Sequence, residues 1–139
     1  MRLDLYQAET SRVAAEQSAL LAQAKAILKE GRALTPLEQG GMLHALQILI
    51  EKAIGKAKQL LKASNQPVPV SGYDAFKALA NSGQITPAEL PAWNAIIGLR
   101  NRIVHDYMDM DIDMDQVTAL VVADKDQFVV CFLCKEFAQ

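Results

Sequence analysis

The sequence predicts an all-α fold, and three observations lead to that prediction. Apolar residues recur along most of the 139-residue chain at intervals of three and four, which places them on one face of a helix. The pattern Thr-Pro-x-Glu, typical of a helix start, occurs twice, at Thr35 and at Thr86. Only one apolar run, residues 128–132, has strand-like content, and no second strand is available to pair with it, so we expect helix there too.

Helix-start and helix-stop residues divide the chain into about five predicted helices. Capping residues open the second and the fourth, glycines follow the first and the third, and prolines end the second. An aspartate-rich connector precedes the last helix, which Asp113 or Asp115 can cap. The expected spans are Leu3–Lys29, 35–66, 71–81, 86–107 and the final segment through Phe137.

The composition indicates one globular domain over residues 1–139. Hydrophobic residues make up 51% of the chain, enough to bury a core. The formal net charge of −2 argues against a general nucleic-acid coating protein, so any contact with RNA is expected to be local. The sequence has no apolar run of the signal-peptide type, no stretch near the ~18 apolar residues of a membrane span, and only two cysteines. We therefore expect a cytoplasmic protein that does not contact a membrane.

Several possible metal or redox sites can be set aside. Cys131 and Cys134 form a single C-x-x-C, which lacks the two further ligands of a zinc site, and we expect two packed thiols on the last helix. His44 is a lone histidine on an apolar helix and is expected at the helix edge. The alternating aspartates resemble a calcium loop, but Met114 and Leu120 occupy the positions where glycine and glutamate are needed. We therefore predict neither a metal site nor a cofactor.

Four lysines lie close together on the second predicted helix, namely Lys52, Lys56, Lys58 and Lys62. The expected interpretation is a solvated helix face. A local RNA-facing patch is the alternative.

The fourth predicted helix carries a polar stripe between apolar sectors. Asn94, Gly98, Asn101 and His105 follow one another at steps of four, three and four, so they share one helix face. Arg100 falls between the two apolar sectors, where a charge is expected only with a partner or a task. We expect the helix to be buried on most of its circumference. The apolar sectors comprise Leu90, Trp93, Ile97 and Val104 on one side, and Ile96, Leu99 and Ile103 on the other.

Arg100 and His105 suit the cleavage of RNA without a metal. A histidine can move the proton of the 2′-hydroxyl or of the leaving oxygen, and a forked arginine can stabilise the charge that builds on phosphorus. Asn101, one turn before His105, can orient the imidazole or donate to a phosphate oxygen. Since one chain supplies one such histidine, a twofold dimer would supply both an acid and a base. The alternative is structural: a buried arginine paired with an aspartate, and a histidine near a helix C-terminus.

The segment Arg100-Asn101-Arg102-Ile103-Val104-His105-Asp106-Tyr107 resembles the R-x4-H-x-Y motif of the HepT toxins, in the HEPN superfamily of helical-bundle ribonucleases. This resemblance implies a homodimeric HEPN-like bundle that acts as a metal-independent endoribonuclease, with the motifs of both subunits facing one cleft. Arg100 and His105 would then be catalytic, with Asn101 in support. It also implies an antitoxin, a nucleotidyltransferase of the MntA type, which adds AMP to the motif tyrosine, Tyr107.

A second function remains open at this point. Related helical bundles serve as non-catalytic partners of small nucleotidyltransferases, and the same motif could then hold a nucleotide phosphate or support the dimer. The complete set of Arg100, Asn101, His105 and Tyr107 favours the enzyme.

Overall fold

A computed structural model of the chain describes residues 2–106 and 113–137. The described residues form helices and connecting turns with no strand, which confirms the predicted all-α class. No helix in these two ranges is long and apolar enough to cross a membrane. The elements are α1 (Leu3–Lys29), α2 (Pro36–Ala63), α3 (Gly72–Asn81), a 3-10 turn (Pro87–Glu89), α4 (Leu90–Asp106), α5 (Met114–Val122) and α6 (Asp126–Cys134).

Helix α2 lies at the centre of the bundle, where it packs against α1, α3, α4 and α6. Its start follows the sequence prediction: the Thr35 hydroxyl accepts from the Glu38 amide, and the Glu38 carboxylate accepts from the Thr35 amide. Small residues line its buried face and allow neighbouring helices to approach closely. The fully buried residues of α2 include Ala45, Ala53, Ala57 and Leu61.

An aromatic cluster joins α3 and α4 to α6. Phe76 and Trp93 stack with ring centroids 4.2 Å apart and planes 14° from parallel, and both are almost fully buried. Phe132 meets both rings, at centroid distances of 5.5 Å and 4.9 Å. Such pairs add directional contacts to ordinary apolar burial, so the cluster fixes α4 against the rest of the bundle.

The last segment is helical, as expected, but it forms two helices rather than one. The break lies at Asp124, whose φ of +60° ends α5 in the left-handed conformation. The Lys125 amide then donates to the Leu120 carbonyl at 3.1 Å, in the manner of a helix C-cap. Asp113 caps the start of α5 through its side chain, as predicted. Asp124 Oδ1 also lies 2.8 Å from Lys25 Nζ, so the residue at the break forms an ion pair with α1.

The predicted solvated lysine face is wrong for Lys56, which is 2% exposed. Its ammonium donates to the carbonyls of Phe132 and Leu133, at 2.9 Å and 3.1 Å, and to that of Lys135. These carbonyls lie at the C-terminal end of α6, where helix carbonyls lack partners within the helix. Lys56 is therefore the buried cap of α6, and burial lowers the pKa of its ammonium to about 8.

The prediction of two packed thiols on the last helix is also wrong. Cys131 and Cys134 are both free and exposed. The buried positions of α6 are instead Asp126, Val129 and Leu133, so the two cysteines fall on the opposite side of this short helix.

Candidate functional site

Helix α4 carries the predicted motif, and the way this helix begins fixes where the motif lies. The Thr86 amide donates to the Glu89 carboxylate at 2.9 Å, and the 3-10 turn that follows continues directly into α4. Trp93, Ile97 and Ile103 then anchor the helix in the core. The helix is nevertheless less enclosed than expected, because Val104, assigned to an apolar sector, is 36% exposed.

The predicted polar stripe lies along the accessible side of α4. Asn94 and His105 at its two ends are exposed, and Gly98 and Asn101 between them are half-buried. Gly98 faces the Tyr73 hydroxyl, since a Cβ atom at Gly98 would lie 3.6 Å from it. The side chains predicted to share one face therefore do so, and they face away from the core.

Arg100 is held by an acid on α2. Its Nη2 donates to Glu51 Oε1 at 3.2 Å, and the same oxygen accepts from Gln47 Nε2 at 3.1 Å. The Arg100 side chain is 29% exposed, so the predicted charge between apolar sectors is only partly buried. Its partner is a glutamate from a neighbouring helix rather than the aspartate considered in the structural alternative. Arg100 Nε is buried and makes no hydrogen bond to a described residue.

Asn101 bridges the arginine to α3. Arg100 Nη1 donates to Asn101 Oδ1 at 3.1 Å, and Asn101 Nδ2 donates to the Tyr73 hydroxyl at 3.4 Å. These two contacts fix which end of the amide faces each neighbour. One N–H of the amide group is left for another acceptor, because a primary amide carries two donors.

His105 is the exposed end of the stripe. It lies one helical turn after Asn101, and no hydrogen bond joins it to a described residue. Its side chain is exposed on the same helix face as Asn101. The prediction for Tyr107 lies outside the described residues, and so do residues 108–112 of the aspartate-rich connector.

The second histidine, His44, lies where the sequence suggested. His44 is exposed at the edge of α2, in a groove of about 300 Å³ that Val104 also lines. Within residues 2–106 and 113–137, no three His, Cys, Asp or Glu side chains gather where they could hold a metal ion.

Two residues of the site were not predicted from the sequence. Glu51 is 49 positions from Arg100, and Tyr73 is 28 positions from Asn101. A signal for Glu51 did exist, since a charge between apolar sectors needs a partner and Glu51 lies on the second predicted helix. The choice of Glu51 among the acids of the chain depends on how α2 and α4 pack.

The resulting arrangement suits recognition of a phosphate. A guanidinium oriented by a carboxylate, an amide with a free donor and an accessible imidazole lie within two turns of one helix. The first two can bind phosphate oxygens, and the third can transfer a proton.

Comparison with known proteins places the chain in a family. A family model described as "Ribonuclease HepT-like" matches residues 15–128, a span that includes all of α2, α3 and α4. The "mRNA nuclease HepT" of Shewanella oneidensis is 30% identical over 76 residues, which are 55% of this chain and 57% of that protein. The chain thus matches little more than half the length of this curated relative. The family resemblance identified from the motif is confirmed.

Proposed function

We propose that this chain, which belongs to the HepT-like family of ribonucleases, is a metal-independent endoribonuclease and the toxin of a toxin–antitoxin pair. The observation that carries the proposal is the bonded series Glu51–Arg100–Asn101, with the exposed His105 one helical turn beyond Asn101. A purely structural arginine would need only its carboxylate. Here a second branch of the same guanidinium also orients an amide on the accessible face.

The catalytic roles follow from the chemistry of RNA cleavage. The 2′-oxygen attacks phosphorus while its proton leaves, and the 5′-oxygen departs with a proton. His105 carries out one of these transfers, since an imidazole can either accept or donate a proton. Arg100 binds the non-bridging oxygens as negative charge builds on them, with Glu51 fixing its orientation. Asn101 donates its free N–H to the same phosphate.

The active form is proposed to be a homodimer. Cleavage uses both an acid and a base, whereas one chain offers one motif histidine, so a twofold axis near the end of α4 would supply the second. The exposed Val104 beside His105 supplies apolar surface for that contact. Sedimentation at micromolar concentration tests this point, and a monomer that still cleaves RNA would contradict it.

Tyr107 is proposed as the acceptor of AMP from a MntA-type nucleotidyltransferase, on the basis of the sequence motif. AMP on this phenol would add a negative phosphate, which would compete with the scissile phosphate for Arg100, and a bulky base, which would obstruct RNA entry. Co-expression with such an enzyme should add AMP to the parent protein and abolish cleavage. Intact mass should show no addition on Tyr107→Phe, and modification at another residue would refute the assignment.

The proposed ribonuclease is tested most simply in cells. The parent chain and His105→Ala are expressed separately from the same inducible promoter in bacteria, and growth and the integrity of messenger RNA are followed. The parent should arrest growth and degrade RNA, and His105→Ala should do neither at equal protein level. Normal growth and intact RNA with the parent would favour the non-catalytic binding partner instead.

A further inference from the structure

Tyr73 is an exposed aromatic side chain beside the proposed catalytic stripe. It lies in the first turn of α3, and 39% of its surface remains exposed although its hydroxyl accepts from Asn101. Because this side chain is at the surface, its hydroxyl could bond to water instead, so it does not need Asn101 as a partner. The contact with Asn101 shows that the Tyr73 ring lies at the rim of the stripe.

The surroundings of Tyr73 suit a nucleotide. Gly98 faces the Tyr73 hydroxyl with no side chain between them, since a Cβ at Gly98 would lie 3.6 Å from that hydroxyl and 3.8 Å from Arg102 Nη1. Arg102 is exposed on α4, and Lys77 is exposed one turn beyond Tyr73 on α3. Asp74 is the exposed acid next to Tyr73, so the cations outnumber the anion here in a chain of net charge −2.

We propose that Tyr73 is a stacking platform for a nucleobase next to the scissile phosphate of single-stranded RNA. The inference rests on the proposed ribonuclease function and adds a binding site to it. Unpaired bases are recognised largely by stacking on aromatic side chains, with cations contacting the adjoining phosphates. Asn101 couples the two parts, because it contacts Tyr73 with one N–H and can contact the phosphate with the other. A base on the Tyr73 ring would thereby align the phosphate with Arg100.

The test measures binding separately from cleavage. Fluorescence anisotropy measures the binding of a labelled, mixed-sequence single-stranded RNA to proteins that all carry His105→Ala. Two variants are added to this background: Tyr73→Leu, which removes the ring, and Tyr73→Phe, which keeps it. Leu37→Ala, an exposed apolar change at the start of α2, is the matched control. Circular dichroism and thermal unfolding establish that each variant is folded.

Tyr73→Leu should weaken RNA binding roughly 5- to 150-fold, the loss expected for one stacked base. Tyr73→Phe should bind as His105→Ala alone does, and Leu37→Ala should have no effect. An RNA with an abasic residue at one position should also bind the Tyr73-containing protein less well, and Tyr73→Leu should be insensitive to that change. In the protein that keeps His105, Tyr73→Leu should raise KM, because the base loses its stacking contact. Tyr73→Phe should leave KM unchanged and lower kcat, because Asn101 loses the hydroxyl that it contacts.

Equal RNA binding by folded Tyr73→Leu and its Tyr73-containing parent would overturn the inference. The ribonuclease proposal would survive that result if the protein with an intact His105 still cleaves RNA. Conversely, if the parent does not cleave RNA, the ribonuclease proposal fails, while the comparison of RNA binding still tests the stacking role of Tyr73. The two proposals are therefore tested by different measurements.

Discussion

Arg100 Nη2 donates to Glu51 Oε1 at 3.2 Å and thereby links α4 to α2 at the proposed catalytic site. The same carboxylate oxygen also accepts from Gln47, so two donors on different helices fix its position. Both charged side chains are about one third exposed, and such pairs add little to folding stability. The pair therefore orients the guanidinium more than it stabilises the bundle.

Glu51→Ala should reduce RNA cleavage far more than it reduces stability. The guanidinium would lose its anchor, and misplacing a catalytic group can cost up to ~10²-fold in rate. The free energy of unfolding should fall by only about 1 kcal/mol or less, as for other exposed ion pairs. Initial cleavage rates and chemical unfolding measure the two effects.

The matched control is Glu9→Ala, which removes an exposed acid paired with Arg12 on α1. It should leave cleavage unchanged. A Glu51→Ala protein that cleaves RNA at the parent rate would show that the Arg100–Glu51 pair has no part in catalysis.

Lys56→Met should remove a pH-dependent part of folding stability. Burial lowers the pKa of Lys56 from 10.5 to about 8 in the folded chain. Between these two values the unfolded chain binds more protons, so the contribution of Lys56 to the free energy of unfolding rises with pH across this window. At pH 7, loss of the donor to the α6 carbonyls should destabilise the variant by about 1–3 kcal/mol.

Urea unfolding of the parent and of Lys56→Met between pH 7 and 10.5 tests this prediction, with Lys52→Met, one turn earlier on α2, as control. The deficit of Lys56→Met should grow towards the alkaline end, whereas that of Lys52→Met should stay constant. A constant deficit for Lys56→Met would contradict the assigned burial of the ammonium.

Lys25→Met should destabilise the fold by about 3–5 kcal/mol, because it leaves a buried carboxylate unpaired. The Asp126 side chain is 1% exposed, and Lys25 Nζ lies 2.9 Å from its Oδ1. The exposed Lys29→Met, on the same helix, should change the unfolding free energy little. If the two variants unfold alike in urea, the Lys25–Asp126 pair is not the contact that secures α6 to α1.

Most of the fold could be predicted from the sequence because its signals are local. The Thr35 and Thr86 caps and the 3.6-residue periodicity act within one or two turns, and the structure places α1 and α3 where those signals put them. The split of the last segment depends on the left-handed conformation of Asp124. An aspartate tolerates that conformation without requiring it, so no local pattern revealed the break.

The candidate site was predicted only in part, for a related reason. The stripe on α4 follows from helical spacing alone. Glu51, Tyr73 and the burial of Lys56 depend on which faces of α2, α3 and α6 meet α4 or one another, and the sequence does not state those pairings. A lysine is normally solvated, so only the proximity of the α6 carbonyls makes Lys56 an interior residue.

The rate of RNA cleavage by purified His105→Ala, compared with that of the parent protein, is the direct test of whether His105 transfers a proton in catalysis. A positioned acid or base typically contributes ~10²–10⁴-fold, so the variant should be slower by that factor while its thermal unfolding is unchanged. Arg100→Ala should be similarly impaired, and a chelator should leave the parent rate as it is. Cleavage by folded His105→Ala at the parent rate would show that His105 is neither the acid nor the base of the reaction.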